Sequence, residues 1–421
     1  MQTITDYSTY ASCRTSVKYD YAGNPLKTLE EYSNVGERLD ILTECTFDKR
    51  GRKLTERKSV NGTEVGCAAF TYDEQGRVTK TRLGNRINIT AAYNLQGWLT
   101  ATEAVTSGDG ITADAILFNT ALHYYDTQDS LATPRYSGKI TEQLWRRGTE
   151  APGIGNMFVH DYDAMGRLTS TKHRTTMQGN GSTAGIYGEQ IAYDKNGNIL
   201  SHHANIEGVS HRLNYTYNGN HMASVAKNDI AAGTAEYDSR GNITKIPGKN
   251  LQLAYNISNL PQSITAADGT KVNYSYFSDG SKFRAVSDNG EKLIYAGSLR
   301  LKAKNYNAVP ESFAIAGGRV KYDNGSWHTE YYITDHLGSV RAVTDASGNV
   351  LATFDYTPYG ELLAATDNTA TGTDHLFTGK EQQSKLGVSE LYDSQARFMG
   401  TDGRFTSIDP LAEKSLVTRQ T

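Results

Sequence analysis

The segment GRFTSIDP, residues 403–410, has residue types that could act on a peptide bond or close a structure as a plug. Its Asp409–Pro410 bond follows soon after Arg404, and a second carboxylate, Asp402, lies just upstream. Two carboxylates that share one proton act as acid and base on a peptide bond, because their proximity separates their pKa values. A single carboxylate keeps only electrostatic and capping roles. The segment predicts either self-cleavage beside Asp409 or a turn that Asp409 caps, with Arg404 pairing nearby.

The cysteines and histidines point to no metal or disulfide chemistry. Cys13, Cys45 and Cys67 are odd in number and widely spaced, which fits neither a disulfide framework nor a zinc site. We interpret them as free structural thiols. Of the ten histidines, only His202 and His203 are adjacent, and they lie in a polar stretch. We expect neither a metal nor a cofactor.

Charge and hydropathy argue against two classes of partner. The 421 residues carry 43 basic and 46 acidic side chains, a formal net charge of -3, without a basic stripe, so we expect no nucleic-acid partner. No apolar run approaches the roughly 18 residues of a membrane span. The first residues, MQTITDYSTYASCRTS, lack the basic and apolar regions of a signal peptide. Export would then use another route or an upstream part of a longer chain.

A repeat reveals the elements that must position the terminal segment. An aromatic residue is followed by Asp or Asn, two free positions, Gly and then an aliphatic residue. Copies of this motif begin at Tyr19, Phe47, Tyr72, Tyr93, Tyr162, Tyr193 and Tyr237, and a degenerate copy with Asn259 in place of glycine begins at Tyr255. Between residues 193 and 295 tyrosines recur about every 20 residues, which is the length of one strand-turn-strand unit.

The spacing of Asp and Gly in the motif predicts a type I turn. The Asp side chain accepts hydrogen bonds from backbone amides of the turn, and Gly takes the positive φ that returns the chain into a strand. The aromatic residue ends one strand and the aliphatic residue opens the next. The chain has 27 tyrosines and 11 phenylalanines. This excess of tyrosine indicates half-exposed positions on a sheet, where the ring packs and the hydroxyl reaches solvent or a partner.

The sequence predicts an all-β fold, because no segment keeps a helical period. A hairpin cannot bury its apolar face alone, so we expect a long curled sheet of strand-turn-strand repeats that forms a shell or barrel-like solenoid. The 38% of hydrophobic residues favours a thin sheet around a space over a solid core. We expect divergent repeats between residues 93 and 162, and an exposed loop over residues 175–188. The stretch YYITDHLGSVRAVTD predicts a strand pair in which His336 is a packed or turn residue.

The aromatic-Asp-x-x-Gly units resemble the YD repeats of the bacterial, Bacteroidetes-like RHS repeat protein family. After residue 326 the resemblance is more specific. The stretches YYITDHLGSVRAVTDASGNVLATFDYTPYGE (331–361), FTGKE (377–381) and LYDSQARFMGTDGRFTSIDPLAEK (391–414) are similar, in this order, to the RHS-associated core. The resemblance implies a YD-repeat region over residues 1–325, an RHS-associated core-like region over residues 326–414 and a short tail over residues 415–421.

The resemblance also assigns roles to charged residues of the terminal segment. Asp409 matches the aspartate of the Asp-Pro pair in self-cleaving members, and Arg397 and Arg404 match two arginines of the motif. The second aspartate that the family usually places after the first arginine is absent, because residues 399–401 are Met-Gly-Thr, and Asp402 lies out of register. An alanine also replaces a glycine that follows Asp-Pro in those members. We predict an aspartyl-type site, Asp409, Asp402, Arg404 and Arg397, that is inactive.

The resemblance implies an encapsulating scaffold. In the family, the shell encloses a variable C-terminal domain, commonly a toxin used in bacterial competition or in insecticidal toxin complexes. We expect a non-enzymatic β-shell without its own toxin domain, whose partners are an encapsulated toxin or polypeptide on another chain and a secretion-system component. We expect it to be secreted or at the cell surface by a non-classical route, and cytoplasmic before export. Two alternatives stay open: a self-cleaving aspartyl-type protease, and a surface protein whose tyrosines bind carbohydrate.

Overall fold

The computed structural model describes residues 2–7, 10–107, 115–148, 150, 154–177, 181–304, 307–365, 368 and 371–410. These residues form three antiparallel sheets, which we call sheets A, B and C, with 18, 14 and 3 strands. Within these ranges the helical pieces are two single 3-10 turns, Phe377–Gly379 and Ser384–Leu386. The all-β prediction is therefore confirmed. No helix in the described part is long and apolar enough to cross a bilayer.

Sheet A is a meander in which each strand pairs with the next along the chain. Its strands are β1 (Gln2–Tyr7), β2 (Ala11–Tyr19), β3 (Pro25–Ser33), β4 (Leu39–Phe47), β5 (Lys53–Val60), β6 (Thr63–Tyr72), β7 (Val78–Leu83), β8 (Ile87–Tyr93), β9 (Leu99–Thr106), β10 (Ala115–His123), β11 (Glu142–Arg147), β12 (Ile154–Tyr162), β13 (Leu168–Met177), β14 (Gly181–Tyr193), β15 (Ile199–Ile206), β16 (Val209–Asn218), β17 (His221–Lys227) and β18 (Ile230–Thr234).

Sheet B continues the same meander. Its strands are β19 (Glu236–Tyr237), β20 (Ile243–Ile246), β21 (Leu251–Tyr255), β22 (Pro261–Thr265), β23 (Lys271–Tyr276), β24 (Lys282–Ser287), β25 (Lys292–Ala296), β26 (Leu299–Lys304), β27 (Asn307–Ile315), β28 (Gly318–Asp323), β29 (Ser326–Thr334), β30 (Val340–Asp345), β31 (Val350–Tyr356) and β32 (Leu362–Ala365). Sheet C consists of β33 (Glu381–Gln383), β34 (Val388–Asp393) and β35 (Phe398–Gly400). Sheets A and B divide between Thr234 and Glu236, inside the predicted repeat region, and the domain boundaries drawn from the motifs stay a prediction.

The repeated turns have the predicted hydrogen bonds. In one copy, Asp163 Oδ1 accepts hydrogen bonds from the backbone amides of Met165 and Arg167, both at 2.9 Å. The Gly166 amide donates to the Asp163 carbonyl at 3.0 Å, and Gly166 has a φ of 76°. In the degenerate copy Asn259 takes a φ of 59°, a conformation that Asn tolerates better than most side chains. The Asp-x-x-Gly motif is therefore a turn, as predicted.

The tyrosine before each turn ties its repeat to the preceding one. The Tyr193 hydroxyl donates to the Leu168 carbonyl at 2.7 Å, and Leu168 is the residue that pairs with Tyr162 across the preceding turn. The same bond recurs at 2.7–3.1 Å from the hydroxyls of Tyr72, Tyr93, Tyr217, Tyr237, Tyr255 and Tyr276. A phenylalanine packs its ring similarly but has no hydroxyl to donate, which explains the excess of tyrosine.

An arginine strengthens this link in three repeats. Arg167 donates through Nε to Asp163 Oδ2 at 2.6 Å within its own turn. Its guanidinium carbon lies 4.7 Å from the centre of the Tyr193 ring, which belongs to the next turn. The same arrangement recurs at 4.7 and 4.6 Å in two earlier repeats, between Arg52 and Tyr72 and between Arg77 and Tyr93. The hydroxyl and one ring face of these tyrosines are therefore used within the sheet.

Sheets A and B pack directly on each other in two hydrophobic cores. One contains Ile41 of sheet A and Leu299 of sheet B, and the other contains Phe118 of sheet A and Ile333 of sheet B. At these two cores apolar side chains of both sheets are in direct contact. The hydrophobic content is still low, since a strand of an antiparallel sheet buries mainly one of its two faces.

The expectation of an exposed loop over residues 175–188 is wrong for the residues that the structure describes. Strand β13 runs to Met177 and β14 starts at Gly181, while residues 178–180 lie outside the described residues. One glycine of this stretch, Gly185, marks close packing between strands. At Gly185 a Cβ would lie 2.0 Å from the ring of His173, so only glycine fits there.

Two other local expectations are confirmed. Between residues 93 and 162, strands β9–β12 continue the meander, and the Tyr124 hydroxyl donates to the Leu99 carbonyl at 2.8 Å as in the repeats. The strand pair predicted in YYITDHLGSVRAVTD is formed by β29 and β30, with Asp335 Oδ1 capping their turn. His336 lies in that turn.

Candidate functional site

The C-terminal segment, defined here as residues 371–410, packs against sheet B through two apolar clusters. Leu391 of sheet C lies in one cluster with Leu253 of sheet B. Phe377, the first residue of FTGKE, belongs to the other and occupies the space beside Gly360. A Cβ at Gly360 would lie 2.5 Å from the Phe377 ring, so the fit requires glycine. These contacts fix the segment to the sheet.

A buried network of charges lies at the same interface, and we call it the charged cluster. Its members are Lys282, Arg300, Glu311, Asp374, Glu381, Lys385 and Asp393. Arg300 Nε lies 2.6 Å from Glu311 Oε2, and Arg300 Nη1 lies 2.9 Å from Asp374 Oδ2. The same Nη1 lies 3.1 Å from Glu381 Oε1. One guanidinium on sheet B therefore joins a sheet B carboxylate to two carboxylates of the C-terminal segment.

Two lysines and a tyrosine complete the charged cluster. Lys282 Nζ lies 2.5 Å from Asp393 Oδ2 and 3.1 Å from Glu381 Oε2. The Tyr295 hydroxyl donates to Glu381 Oε1 at 2.8 Å. Lys385 Nζ lies 2.8 Å from Glu311 Oε1, so the ion pairs cross the interface in both directions.

The cluster keeps its carboxylates charged although they are buried. Burial alone raises the pKa of Glu311, but the charges of Arg300 and Lys385 outweigh it and hold that pKa well below its ordinary value. The pKa of Asp374 is likewise lowered, because the same two cations outweigh its burial. A depressed carboxyl pKa stabilises the folded state above the unfolded pKa, and this contribution is lost as the pH falls through the folded pKa.

Asp409, the aspartate of the predicted site, pairs with Arg397. Arg397 Nη2 lies 2.9 Å from Asp409 Oδ2, and the Arg397 guanidinium carbon lies 3.8 Å from the centre of the Phe405 ring. The Asp409 side chain is 48% exposed, so solvent screens this pair. The arginine expected near Asp409 was Arg404, and the structure places Arg397 there instead.

Arg404 and Asp402 form a second group that reaches sheet A. Arg404 Nε lies 3.8 Å from Asp402 Oδ2, and Lys249 Nζ lies 3.9 Å from Asp402 Oδ1. The Arg404 guanidinium carbon lies 4.1 Å from the centre of the Tyr215 ring on β16. Burial raises the pKa of Tyr215, which keeps this ring neutral. Arg404 therefore holds the C-terminal segment to sheet A.

The backbone between these two groups is bonded to sheet B. The Thr406 carbonyl accepts a hydrogen bond from the Ile243 amide at 3.1 Å, and its oxygen lies 2.8 Å from the Tyr255 hydroxyl oxygen. A cavity of about 350 Å³ lies beside it, with Tyr217 and Ile408 among its lining residues. The segment thus bridges the last strands of sheet A and the first strands of sheet B.

The four residues of the predicted site therefore form two separate ion pairs within the C-terminal segment. Arg397 meets Asp409, and Arg404 meets Asp402. Whether the four residues act on a peptide bond stays a prediction. Among the described residues, no group of three or more His, Cys, Asp or Glu side chains is arranged to hold a metal ion.

Sequence reasoning missed the charged cluster. Arg300 and Glu311 are far from any recognised motif, and no sequence signal identifies which sheet charges are buried. Glu381 lies in FTGKE and Asp393 in the stretch that begins LYDSQARF, and neither stretch by itself shows that its acidic side chain is buried. Partners that are distant in sequence, such as Lys282 and Asp393, meet only once the C-terminal segment has docked.

Comparisons with known proteins show which of them this chain resembles. No protein-family model matches the chain. The tRNA3(Ser)-specific nuclease WapA of Bacillus spizizenii is 24% identical in an alignment of 273 positions that covers 61% of this chain and 10% of that protein. The crystal structures of TcdB2-TccC3-Cdc42 and TcdB2-TccC3-TEV match with TM-scores of 0.72 over 95% of this chain and 20% of theirs, at 18% and 17% identity.

The chain has the all-β fold found in the TcdB2-TccC3 structures. It spans 10% to 20% of the length of the proteins it matches. These likenesses agree with the resemblance to RHS repeat proteins, and the finer assignment of an RHS-associated core to residues 326–414 stays a prediction.

Proposed function

We propose that this chain is a non-enzymatic β-scaffold of the RHS/YD-repeat type. In its natural setting it forms part of a wall that encloses a toxin or another polypeptide, for use in bacterial competition. The observation that carries the proposal is the common fold with the TcdB2-TccC3 structures over 95% of this chain.

The repeats support a structural role, because their chemically capable side chains are engaged with one another. The Tyr193 hydroxyl is bonded to the Leu168 carbonyl, and Arg167 covers one face of the Tyr193 ring. Carbohydrate binding by such repeats would need open ring faces and free hydroxyls. The contacts therefore favour the scaffold over the carbohydrate-binding alternative.

The C-terminal segment supports a role as a plug of that wall. It is joined to sheet B by the charged cluster and by Thr406, and to sheet A by Arg404. The two aspartates in the positions of a self-cleavage site are each paired with an arginine, Asp409 with Arg397 and Asp402 with Arg404, so we favour the scaffold over a self-cleaving aspartyl-type protease.

The proposed partners follow from the proposed function. They are an enclosed polypeptide, on this or another chain, and a component of a secretion system. We propose that the protein acts outside the cell or at its surface after export by a non-classical route.

The test compares two fusions of the full chain. One carries a short peptide with a specific protease site after Thr421, and the other carries the same peptide before Met1. An enclosing wall predicts that the site after Thr421 is cut about tenfold or more slowly than the site before Met1, and that denaturant removes the difference. Equal rates for the two native fusions would refute enclosure by this chain.

A substitution pair links this protection to the plug. Arg404→Met removes the contact with Tyr215 and should speed cutting after Thr421. The matched control is Arg240→Met, because Arg240 lies on a repeat turn with a side chain 39% exposed, and we expect no change in cutting there. Equal rates in both variants would show that Arg404 does not hold the plug.

A further inference from the structure

Four of the ten histidines lie at one junction between the large sheets. His160, His173 and His202 are on β12, β13 and β15 of sheet A, and His336 is on the turn between β29 and β30 of sheet B. We call these four residues the histidine junction. His160 and His173 are 8% and 7% exposed, so a charge on either ring would be placed in the core.

The contacts of His173 fix its ring in the neutral form. Its Nδ1 accepts a hydrogen bond from the Ile186 amide at 3.0 Å, so that nitrogen carries no proton. Its Nε2 lies 3.1 Å from Asn156 Oδ1 and donates to it. Protonation of Nδ1 would place two N–H groups against each other and break the bond to β14.

His160 and His336 are also unsuited to carry charge. His160 Nδ1 is bonded to the neutral hydroxyl of Thr171 at 3.0 Å. His336 Nδ1 is buried and has no hydrogen-bond partner among the described residues. Burial lowers the pKa of His160 to about 4, and burial also lowers the pKa of His173 and of His336.

Charged groups from several elements face these rings. Those that act on His160, His173 and His336 are Glu150, Asp161, Glu189, Asp335, Arg341 and Asp355. His202 differs from the other three, because its Nε2 lies 2.8 Å from the buried carboxylate of Glu189.

The histidine junction touches the C-terminal segment through Tyr359. The centre of the Tyr359 ring lies 5.7 Å from that of the His202 ring, and its hydroxyl lies 3.5 Å from the Tyr193 hydroxyl. On its other side Tyr359 packs on Gly403, where a Cβ would lie 2.4 Å from the ring. A displacement of Tyr359 would therefore disturb its contact with the segment that carries Asp402 and Arg404.

We propose that the histidine junction is an acid-sensitive latch on the C-terminal segment. At neutral pH the buried rings are uncharged and sheets A and B stay packed around Tyr359. In acid, protonation of His160, His173 and His336 favours separation of the turns of sheet B from sheet A, and the contact between Tyr359 and Gly403 opens.

The direction of the pH effect follows from the difference in histidine pKa between the closed and the open state. An exposed histidine takes up its proton near pH 6.5, whereas buried His160 does so near pH 4. Opening is therefore favoured as the pH falls below 6.5, and the effect saturates near pH 4. For His160 alone, the opening equilibrium should rise about 30-fold between pH 8 and pH 5.

The test is hydrogen exchange of the full chain, followed by mass spectrometry, with rates corrected for the intrinsic effect of pH. We expect peptides from residues 397–410 to exchange at least about tenfold faster at pH 5 than at pH 8. His160→Gln, His173→Gln and His336→Gln should each reduce that ratio, because glutamine keeps a polar group without the titration. His328→Gln, at an exposed position on β29, is the matched control and should leave it unchanged.

A corrected rate that is the same at both pH values in the unsubstituted chain would overturn the latch. So would an acid response of equal size in all three variants and in the control. If the three variants do not fold, the comparison of the unsubstituted chain at the two pH values still decides.

Discussion

A repeat turn and the charged cluster each contain an ion pair between an arginine and a carboxylate, but the two pairs differ in burial. Arg167 Nε lies 2.6 Å from Asp163 Oδ2 in the turn, and Arg300 Nε lies 2.6 Å from Glu311 Oε2 in the cluster. The turn side chains are 30% and 22% exposed, whereas those of the cluster are 7% and 8% exposed. Solvent screens the first pair and hardly reaches the second.

The difference shows how the two regions are held. The repeats rely on many small and similar interactions, each of which can be lost without much effect. The C-terminal segment relies on one network, and removal of a cation leaves an excess of buried negative charge. Removal of one interaction should therefore destabilise the repeats only slightly, whereas removal of one member of the charged cluster should weaken the attachment of the whole C-terminal segment.

The largest effect should come from Arg300→Met. This change leaves Glu311, Asp374 and Glu381 without their shared cation, and breaking a buried ion pair in this way costs about 3–5 kcal/mol. The free energy of unfolding in urea measures it. The matched change in a repeat turn, Arg167→Met, should cost at most about 1 kcal/mol.

Similar losses in Arg300→Met and Arg167→Met would remove the distinction between the two regions. Hydrogen exchange adds a second readout. Arg300→Met should raise exchange in residues 371–400, while Arg167→Met should raise it only near its own turn.

A smaller loss should follow a substitution of turn glycines. Gly166→Val and Gly197→Val force a β-branched residue to φ values of 76° and 93°, which should cost on the order of 1–3 kcal/mol. The melting temperature measures the loss. Gly188→Val is the control, since Gly188 lies within a strand and its nearest neighbour to a Cβ, the Thr171 carbonyl, is 3.9 Å away. Unchanged melting temperatures for both turn variants would contradict the assignment of these residues to turns that require glycine.

The smallest effect concerns the tyrosine hydroxyls. Tyr193→Phe removes the bond to the Leu168 carbonyl and should cost about 0.5–1.5 kcal/mol in urea unfolding. The repeat at Phe47 offers the reverse experiment, because it lacks the hydroxyl. Phe47→Tyr should gain a bond to the Pro25 carbonyl, which holds the corresponding place in the preceding turn. A loss of stability in Phe47→Tyr would argue against a repeated tyrosine link.

The repeats could be predicted from sequence because their interactions are local. Asp163 and Gly166 are three positions apart, and the turn they make depends on little else. The degenerate copy was recognised with Asn259 in the glycine position, since Asn also adopts positive φ. The loop expected over residues 175–188 was wrong, because glycine serves close packing, as at Gly185, as well as turns.

For the terminal motif, the sequence identified the charged residues but not how they pair. Arg397, Asp402, Arg404 and Asp409 were identified from the motif, but their pairing depends on how the segment docks, and Arg397 takes the place expected of Arg404. The charged cluster was out of reach, because its members come from distant strands and no local pattern distinguishes a buried arginine from an exposed one.

The most direct test of the account is the intact mass of the purified chain at neutral pH over several hours. If the C-terminal segment is a cross-linked plug, the chain stays at 46.2 kDa, and Asp409→Asn and Asp402→Asn behave in the same way. Cleavage that releases part of the last thirty or so residues, and that disappears in either variant, would contradict the account. It would show that Asp402 and Asp409 work together as an acid–base pair.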